Sequence, residues 1–120
     1  MSLVAKQWKF LRNVAKLIAY ADSLGWVLTG GELYRTMDQQ KIYMRNGQSK
    51  TLNSRHLSRL AIDLNLFING KYVTNTDQYK PLGDFWRTLD ERNVWGGDWN
   101  NNGSMQDESF LDGNHFEMRP

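Results

Sequence analysis

The chain has 120 residues, 40% of them hydrophobic, with five each of Trp, Tyr and Phe. That suits one compact domain over residues 1–120 and leaves little room for a second. It has no cysteine, which excludes a disulfide scaffold and thiolate metal sites and leaves His, Asp and Glu to hold any metal. A formal net charge of +2 suits anionic partners without choosing among them. No apolar run approaches the roughly 18 residues needed to span a bilayer, and no signal peptide is recognisable.

Residues 2–24 read as a helix. Val4, Trp8, Leu11, Ala15 and Ile18 recur at spacings of three and four, forming one apolar stripe expected to face a core. Gly25 follows as a C-terminal stop. Lys6, Lys9, Arg12 and Lys16 form a basic stripe, read as the solvated side. Residues 26–34 read as a strand pair, or as one strand broken at Gly30-Gly31. Thr36 starts a short helix, with Gln39 three residues on in capping-box spacing and Asn46-Gly47 as its exit.

After a polar loop over 47–53 comes the most legible strand, 60–68. Ile62, Leu64, Leu66 and Ile68 share one face, and Ala61, Asp63, Asn65 and Phe67 the other. Asn69-Gly70 is a hairpin turn, and 71–73 return as the partner strand. Residues 79–92 read as an amphipathic helix through Tyr79, Leu82, Trp86 and Leu89, with Pro81 tolerated in its first turn. A long polar loop is expected over 95–109 and a last strand over 110–118. The order predicts an α+β domain built on a small antiparallel sheet flanked by helices.

The only two histidines both stand near acids: His56 seven residues before Asp63, and His115 three after Asp112. Strand parity puts Asp63 opposite the apolar run, and His115 and Glu117 alternate with Phe116 and Met118 in the same way. An odd separation would put His56 and Asp63 on opposite faces of an unbroken strand. Convergence therefore requires a turn or bulge around Ser58-Arg59. Two imidazoles and one carboxylate, with water in a fourth position, are what a catalytic zinc site uses. A further carboxylate must handle the water's proton, and Asp112 is the candidate. Arg35, at a strand-to-helix junction, is a candidate cation for a developing oxyanion.

Ser54-x-His56 followed by Ala61-x-Asp63, with a later Asp112-x-x-His115, resembles a known peptidase family. It comprises the zinc D-alanyl-D-alanine carboxypeptidases, the vancomycin-resistance dipeptidases and the phage L-alanyl-D-glutamate endopeptidases. Their signature is S-x-H-x-x-G-x-A-x-D with a later acid-x-x-His. GGELYRT (30–36), SRHLSRLAIDLNLFINGKY (54–72), WGGDW (95–99) and HFE (115–117) resemble the phage branch in particular. The resemblance implies the fold of hedgehog and D-Ala-D-Ala peptidase domains. It implies His56, Asp63 and His115 as ligands of one zinc ion, Asp112 as general base and acid, Arg35 as substrate-carbonyl cation and Ser54 as support. The substrate implied is the peptidoglycan stem peptide, cut at the L-alanyl-D-glutamate bond in phage or prophage lysis. The enzyme would be made in the host cytoplasm as a monomer and reach the wall by a holin-type route. Arg59 stands where the signature has glycine, so the turn there is expected to be made differently. Asp112 replaces the glutamate of the dipeptidase branch.

Two rivals follow from the same residues: a D-Ala-D-Ala carboxypeptidase or dipeptidase, and a non-catalytic peptidoglycan-binding virion module. The walls that choose the bond are assigned to loops 50–53 and 93–102. The aromatics sit at core spacings rather than alternating with basic residues, which argues against nucleic-acid binding. One further motif stands apart: Asp98, Asn100, Asn102 and Ser104, with Gly103, read like the first half of an EF-hand calcium loop. Its twelfth position is Ser109, with Asp107 and Glu108 as the nearest acids. Calcium there is an expectation beside that of a plain Asn/Gly-rich turn.

Overall fold

The structure, a computed structural model, describes residues 1–51, 53–108 and 110–120. Among these residues three α-helices, α1 (Leu3–Ser23), α2 (Met37–Arg45) and α3 (Lys80–Leu89), accompany five short strands. The strands are β1 (Val27–Gly30), β2 (Ala61–Ile68), β3 (Lys71–Tyr72), β4 (Asn93–Trp95) and β5 (His115–Met118). They form one antiparallel sheet in the order β1-β2-β5-β4, with β3 folded back onto β2. The domain is α+β, as the element order predicts.

Local chemistry explains most boundaries. Ser2 caps α1, its hydroxyl accepting from Ala5 N at 3.1 Å. The helix closes with Gly25 N to Asp22 O and Trp26 N to Ala21 O, the paired bonds of a Schellman motif. Thr36 caps α2 by accepting from Gln39 N. At the β2–β3 turn Asn69 and Gly70 both take positive φ (53° and 77°), which a two-residue hairpin matched to the strand twist requires.

The core lies between the sheet and helices α1 and α3. Leu64 and Leu66 of β2 and Phe116 and Met118 of β5 supply the sheet side. Phe10 of α1 meets the Trp86 ring edge-on at 5.5 Å, and Trp86 in turn meets Phe116 at 5.9 Å. The Trp86 indole donates to Glu117 O at 3.0 Å, and Asn93 Nδ2 donates to Trp86 O at 3.0 Å, so α3 is bolted to both β5 and β4.

Four expectations are corrected. In α1 the stripe of Val4, Trp8, Leu11, Ala15 and Ile18 faces solvent; the buried residues are Phe10, Asn13, Val14, Leu17 and Ala21. The helix carries two apolar rows of similar spacing, and the one bearing Phe10 fits against Trp86. Trp95 belongs to a strand, β4, rather than to the loop, because three buried residues pair with β5 without any periodic run to announce them. The last strand starts at His115, not at 110, since residues 110–114 turn to bring Asp112 back. Helix α3 stops at Leu89, where Asp90 becomes extended.

Candidate functional site

The sheet's second face carries the polar constellation. Asp63 and His115 are direct cross-strand partners on β2 and β5. His56 comes from a short 3₁₀ turn, Arg55–Ser58, immediately before β2. That turn ends at Arg59, whose backbone is left-handed (φ 58°, ψ 36°). The turn is thus made with the backbone that glycine adopts most readily, contrary to the expectation of a different turn. An arginine there costs about 1 kcal/mol. Its guanidinium lies 4.3 Å over the Tyr34 ring, which offsets part of that cost. The reversal at 55–59 overcomes the odd spacing and brings His56 to the Asp63 side.

His56 Nε2 lies 3.2 Å from Asp63 Oδ1, and His115 Nδ1 lies 3.5 Å from the same oxygen. All three ligand atoms fall within 4.8 Å of one another. The far side of each ring sets its tautomer. His56 Nδ1 is 2.9 Å from Leu33 O, an acceptor, so the proton belongs on Nδ1 and the lone pair on Nε2. His115 Nε2 is 2.8 Å from Glu117 Oε1, which places the lone pair of the neutral ring on Nδ1. Both lone pairs and a carboxylate oxygen therefore converge, and His56 Nε2 and Asp63 Oδ1 are buried without a hydrogen-bond partner. Three acceptors facing one another call for a cation. The donor set, two imidazoles and a carboxylate, fits a divalent metal ion of the zinc type.

Without an ion, protons take over. Burial pushes His115 down, but the carboxylates of Asp63 and Glu117 on either side of the ring favour its protonated form and raise its pKa to about 9. Burial raises Asp63, yet the two neighbouring imidazoles hold it well below the usual carboxylate range. Asp112 is half-buried, its Oδ2 3.9 Å from His115 Nδ1. Burial raises its pKa, the His115 charge opposes this, and the Asp63 charge adds to it. Its place is fixed by backbone bonds on both sides: Asp112 N to Gly96 O at 2.9 Å, and His115 N to Asp112 O at 3.0 Å.

These groups border a cleft of about 770 Å³ whose lining includes Arg35, Ser54, Trp99, Asp112, His115 and Glu117. Arg35 is held by Glu32, by Gln40 Oε1 at 2.7 Å and by Ser54 Oγ at 3.3 Å, and its guanidinium lies over Tyr43. Ser54 also accepts from His56 N at 3.3 Å, linking Arg35 to the histidine turn. Gln40, fully buried, donates onward to Ser49 Oγ (2.8 Å) and Thr51 O on the cleft rim. Trp99 packs against the His115 ring at 5.1 Å.

Sequence reading had no role for Glu32, Gln40 or Glu117. Glu117 shares the His115 face two residues on, and that parity was a usable signal. Glu32 and Gln40 carried none, because their importance lies only in contacts.

The loop 98–108 gathers its own polar groups elsewhere. Asp98 is buried, accepts from the backbone N–H of Asn102 and Gly103, and lies 3.4 Å from Arg87 Nη1. Asp107 accepts from the amides of Asn100 and Asn102, Glu108 from Asn100 N, and the Ser104 hydroxyl from Gln106 N. Ser109 lies outside the described residues.

Comparison with known proteins accords with this geometry. A family model described as phage L-alanyl-D-glutamate peptidase matches residues 8–119. Among solved structures, the chain is similar to the crystal structure of the Serratia marcescens L-Ala D-Glu endopeptidase ChiX, with 28% identity and a TM-score of 0.58. The match covers 77% of this chain and 66% of that one, so the chain spans a little under two thirds of that enzyme. A comparison with curated proteins finds no match.

Proposed function

The chain belongs to the phage L-alanyl-D-glutamate peptidase family, and on that premise we propose that it is a zinc peptidase cutting the L-alanyl-D-glutamate bond of peptidoglycan stem peptides in phage-type lysis. The observation that carries the reading is the convergence of His56 Nε2, Asp63 Oδ1 and His115 Nδ1 within 4.8 Å of one another, the first two buried without a hydrogen-bond partner. Zinc bound there would supply Lewis acidity, which makes water nucleophilic near neutral pH and polarises a carbonyl.

The chain's own residues do the rest. Asp112, whose pKa burial raises above its ordinary carboxylate value, takes the proton of the attacking water and passes it to the departing amine. Arg35, clamped by Glu32, Gln40 and Ser54, presents a fixed positive charge to the oxygen that becomes negative as the carbonyl is attacked. Because these partners already hold the guanidinium, little reorganisation is needed in the transition state. Glu117 orients the His115 ring from behind, and Leu33 O does the same for His56. Trp99 packs on His115 and shields it from water.

The D-Ala-D-Ala carboxypeptidase reading loses ground to the family match, which names the other bond. A binding-only module is a poorer fit to a cleft bordered by a held arginine and a carboxylate near the ligand set. Monomeric state and a holin-type route to the wall remain part of the proposal. Calcium in the 98–108 loop is a separate proposal: the ion would have to replace Arg87 and two amides as partners of Asp98. Calcium addition would then raise the melting temperature, and an unchanged melting curve would remove the idea.

The test of function is digestion of purified peptidoglycan by zinc-loaded protein beside a His115→Ala control, with fragments read by mass spectrometry. The expected product is stem peptide with a new D-glutamate amino terminus, absent from the control. Release of terminal D-alanine instead would move the assignment to the carboxypeptidase. No release by folded, zinc-containing protein would leave the binding module.

A further inference from the structure

Helix α1 presents three strips to three environments. One, centred on Phe10, Val14 and Leu17, enters the core. A second carries Val4, Trp8, Leu11 and Ile18 and is turned to solvent, with exposures of 74% for Val4, 58% for Trp8 and 61% for Leu11. At 3.6 residues per turn these side chains span an arc of about 80°, a continuous apolar band rather than scattered residues. Immediately beside it runs the third strip, Lys9, Arg12 and Lys16, exposed along the same length. Arg12 lies over the Trp8 ring at 4.9 Å, so the cationic and apolar strips touch.

We propose that this outward face of α1 is a docking surface for the surface of a bilayer rich in anionic lipid. The argument is one of charge complementarity joined to an apolar band. Residues 3–21 contain no Asp or Glu, so nothing on the helix neutralises its four cations. A bilayer surface of anionic headgroups over acyl chains offers the matching pair: negative charge for Lys9, Arg12 and Lys16, hydrocarbon for Val4, Leu11 and Ile18, and the boundary between them for Trp8. A second copy fits less well, because antiparallel pairing of two such helices brings both cationic strips to the same rim. An anionic polymer without an apolar layer would leave the band unsatisfied. No helix among the described residues is long and apolar enough to cross a membrane, so contact is at the surface. Since α1 packs on the core side of the sheet and Asp63 and His115 stand on the other, docking leaves the cleft free. The inference is independent of which bond the cleft cuts.

The experiment is co-sedimentation of the full chain with phosphatidylglycerol vesicles and with phosphatidylcholine vesicles, at low and at physiological salt. Wild type is expected to pellet with phosphatidylglycerol and far less with phosphatidylcholine. Leu11→Asp should weaken that binding about tenfold or more, and Lys9→Glu with Lys16→Glu should abolish the preference for phosphatidylglycerol. Both variants alter exposed side chains, so their melting temperatures should match wild type, and a variant that did not would be replaced by Val4→Asp. Absence of binding to phosphatidylglycerol overturns the proposal. So does equal binding by wild type and Leu11→Asp, which would reduce the effect to net charge. Two further results would reassign the face: loss of binding to lipid-free wall sacculi in the variants with vesicle binding unchanged, or a wild-type dimer in sedimentation velocity that Leu11→Asp dissociates.

Discussion

Gly83 lies in the middle of α3, where helix propensity alone recommends alanine by about 1 kcal/mol. The structure predicts the opposite sign. A Cβ built on Gly83 would meet the Trp95 indole, with Cγ at 2.6 Å and Cδ2 and Cε3 nearer still. Ordinary carbon contacts lie near 3.5–4.0 Å, so helix and strand would have to part by about 1 Å. Trp95 cannot swing away cheaply, because it is fully buried and its indole donates to Gly113 O at 2.7 Å. A clash this deep with a fixed ring falls at the upper end of the usual overpacking cost of about 1–3 kcal/mol, leaving a net loss of about 1–2 kcal/mol after the propensity gain. Gly83→Ala should therefore lower the melting temperature by roughly 4–10 °C for a chain of this size. Since Gly113 lies between Asp112 and His115, metal affinity should fall as well. Differential scanning calorimetry and a zinc titration check the two effects. A melting temperature equal to or above wild type would refute the packing argument.

Gly96→Ala would drive a Cβ into the Asp112 carbonyl, with Asp112 C at 2.9 Å and His115 Cβ at 3.0 Å, so peptidoglycan cleavage should fall more than stability does. Activity near wild type would show that the 112–115 segment is free to move aside. Asp112→Asn should cost about 10²–10⁴-fold in turnover while zinc binding, read by calorimetry, persists; full activity would remove Asp112 from proton transfer. The metal-free protein should lose stability with rising pH. His115 is raised to about 9 in the fold, so its stabilising proton is fully held below 6.5 and lost as pH climbs through 9. Zinc affinity should rise over the same window, since the ligand must be deprotonated. A flat melting temperature of the metal-free protein from pH 6.5 to 9 would contradict the His115 assignment.

Several elements could be read directly from the chain because their signals are local. The alternation over 60–68, the Asn69-Gly70 turn, the caps at Thr36 and Gly25 and the apolar face of α3 each depend on near neighbours and period. The grouping of His56, Asp63, Asp112 and His115 was legible through the resemblance of their motifs to a peptidase family, and strand parity called for a reversal at Ser58-Arg59. Which apolar row of α1 enters the core was not, because periodicity reports that a row is apolar and not which surface complements it. Only the fit of Phe10 against Trp86 decided that, and it left Trp8 and Leu11 outside. Strand β4 escaped for a related reason: three residues are too few for a period, and pairing with β5 makes them a strand. The arrangement around the cleft is likewise tertiary. Glu32, Gln40 and Glu117 are ordinary polar residues in sequence, and three-dimensional contact alone makes them the groups that hold Arg35 and aim His115.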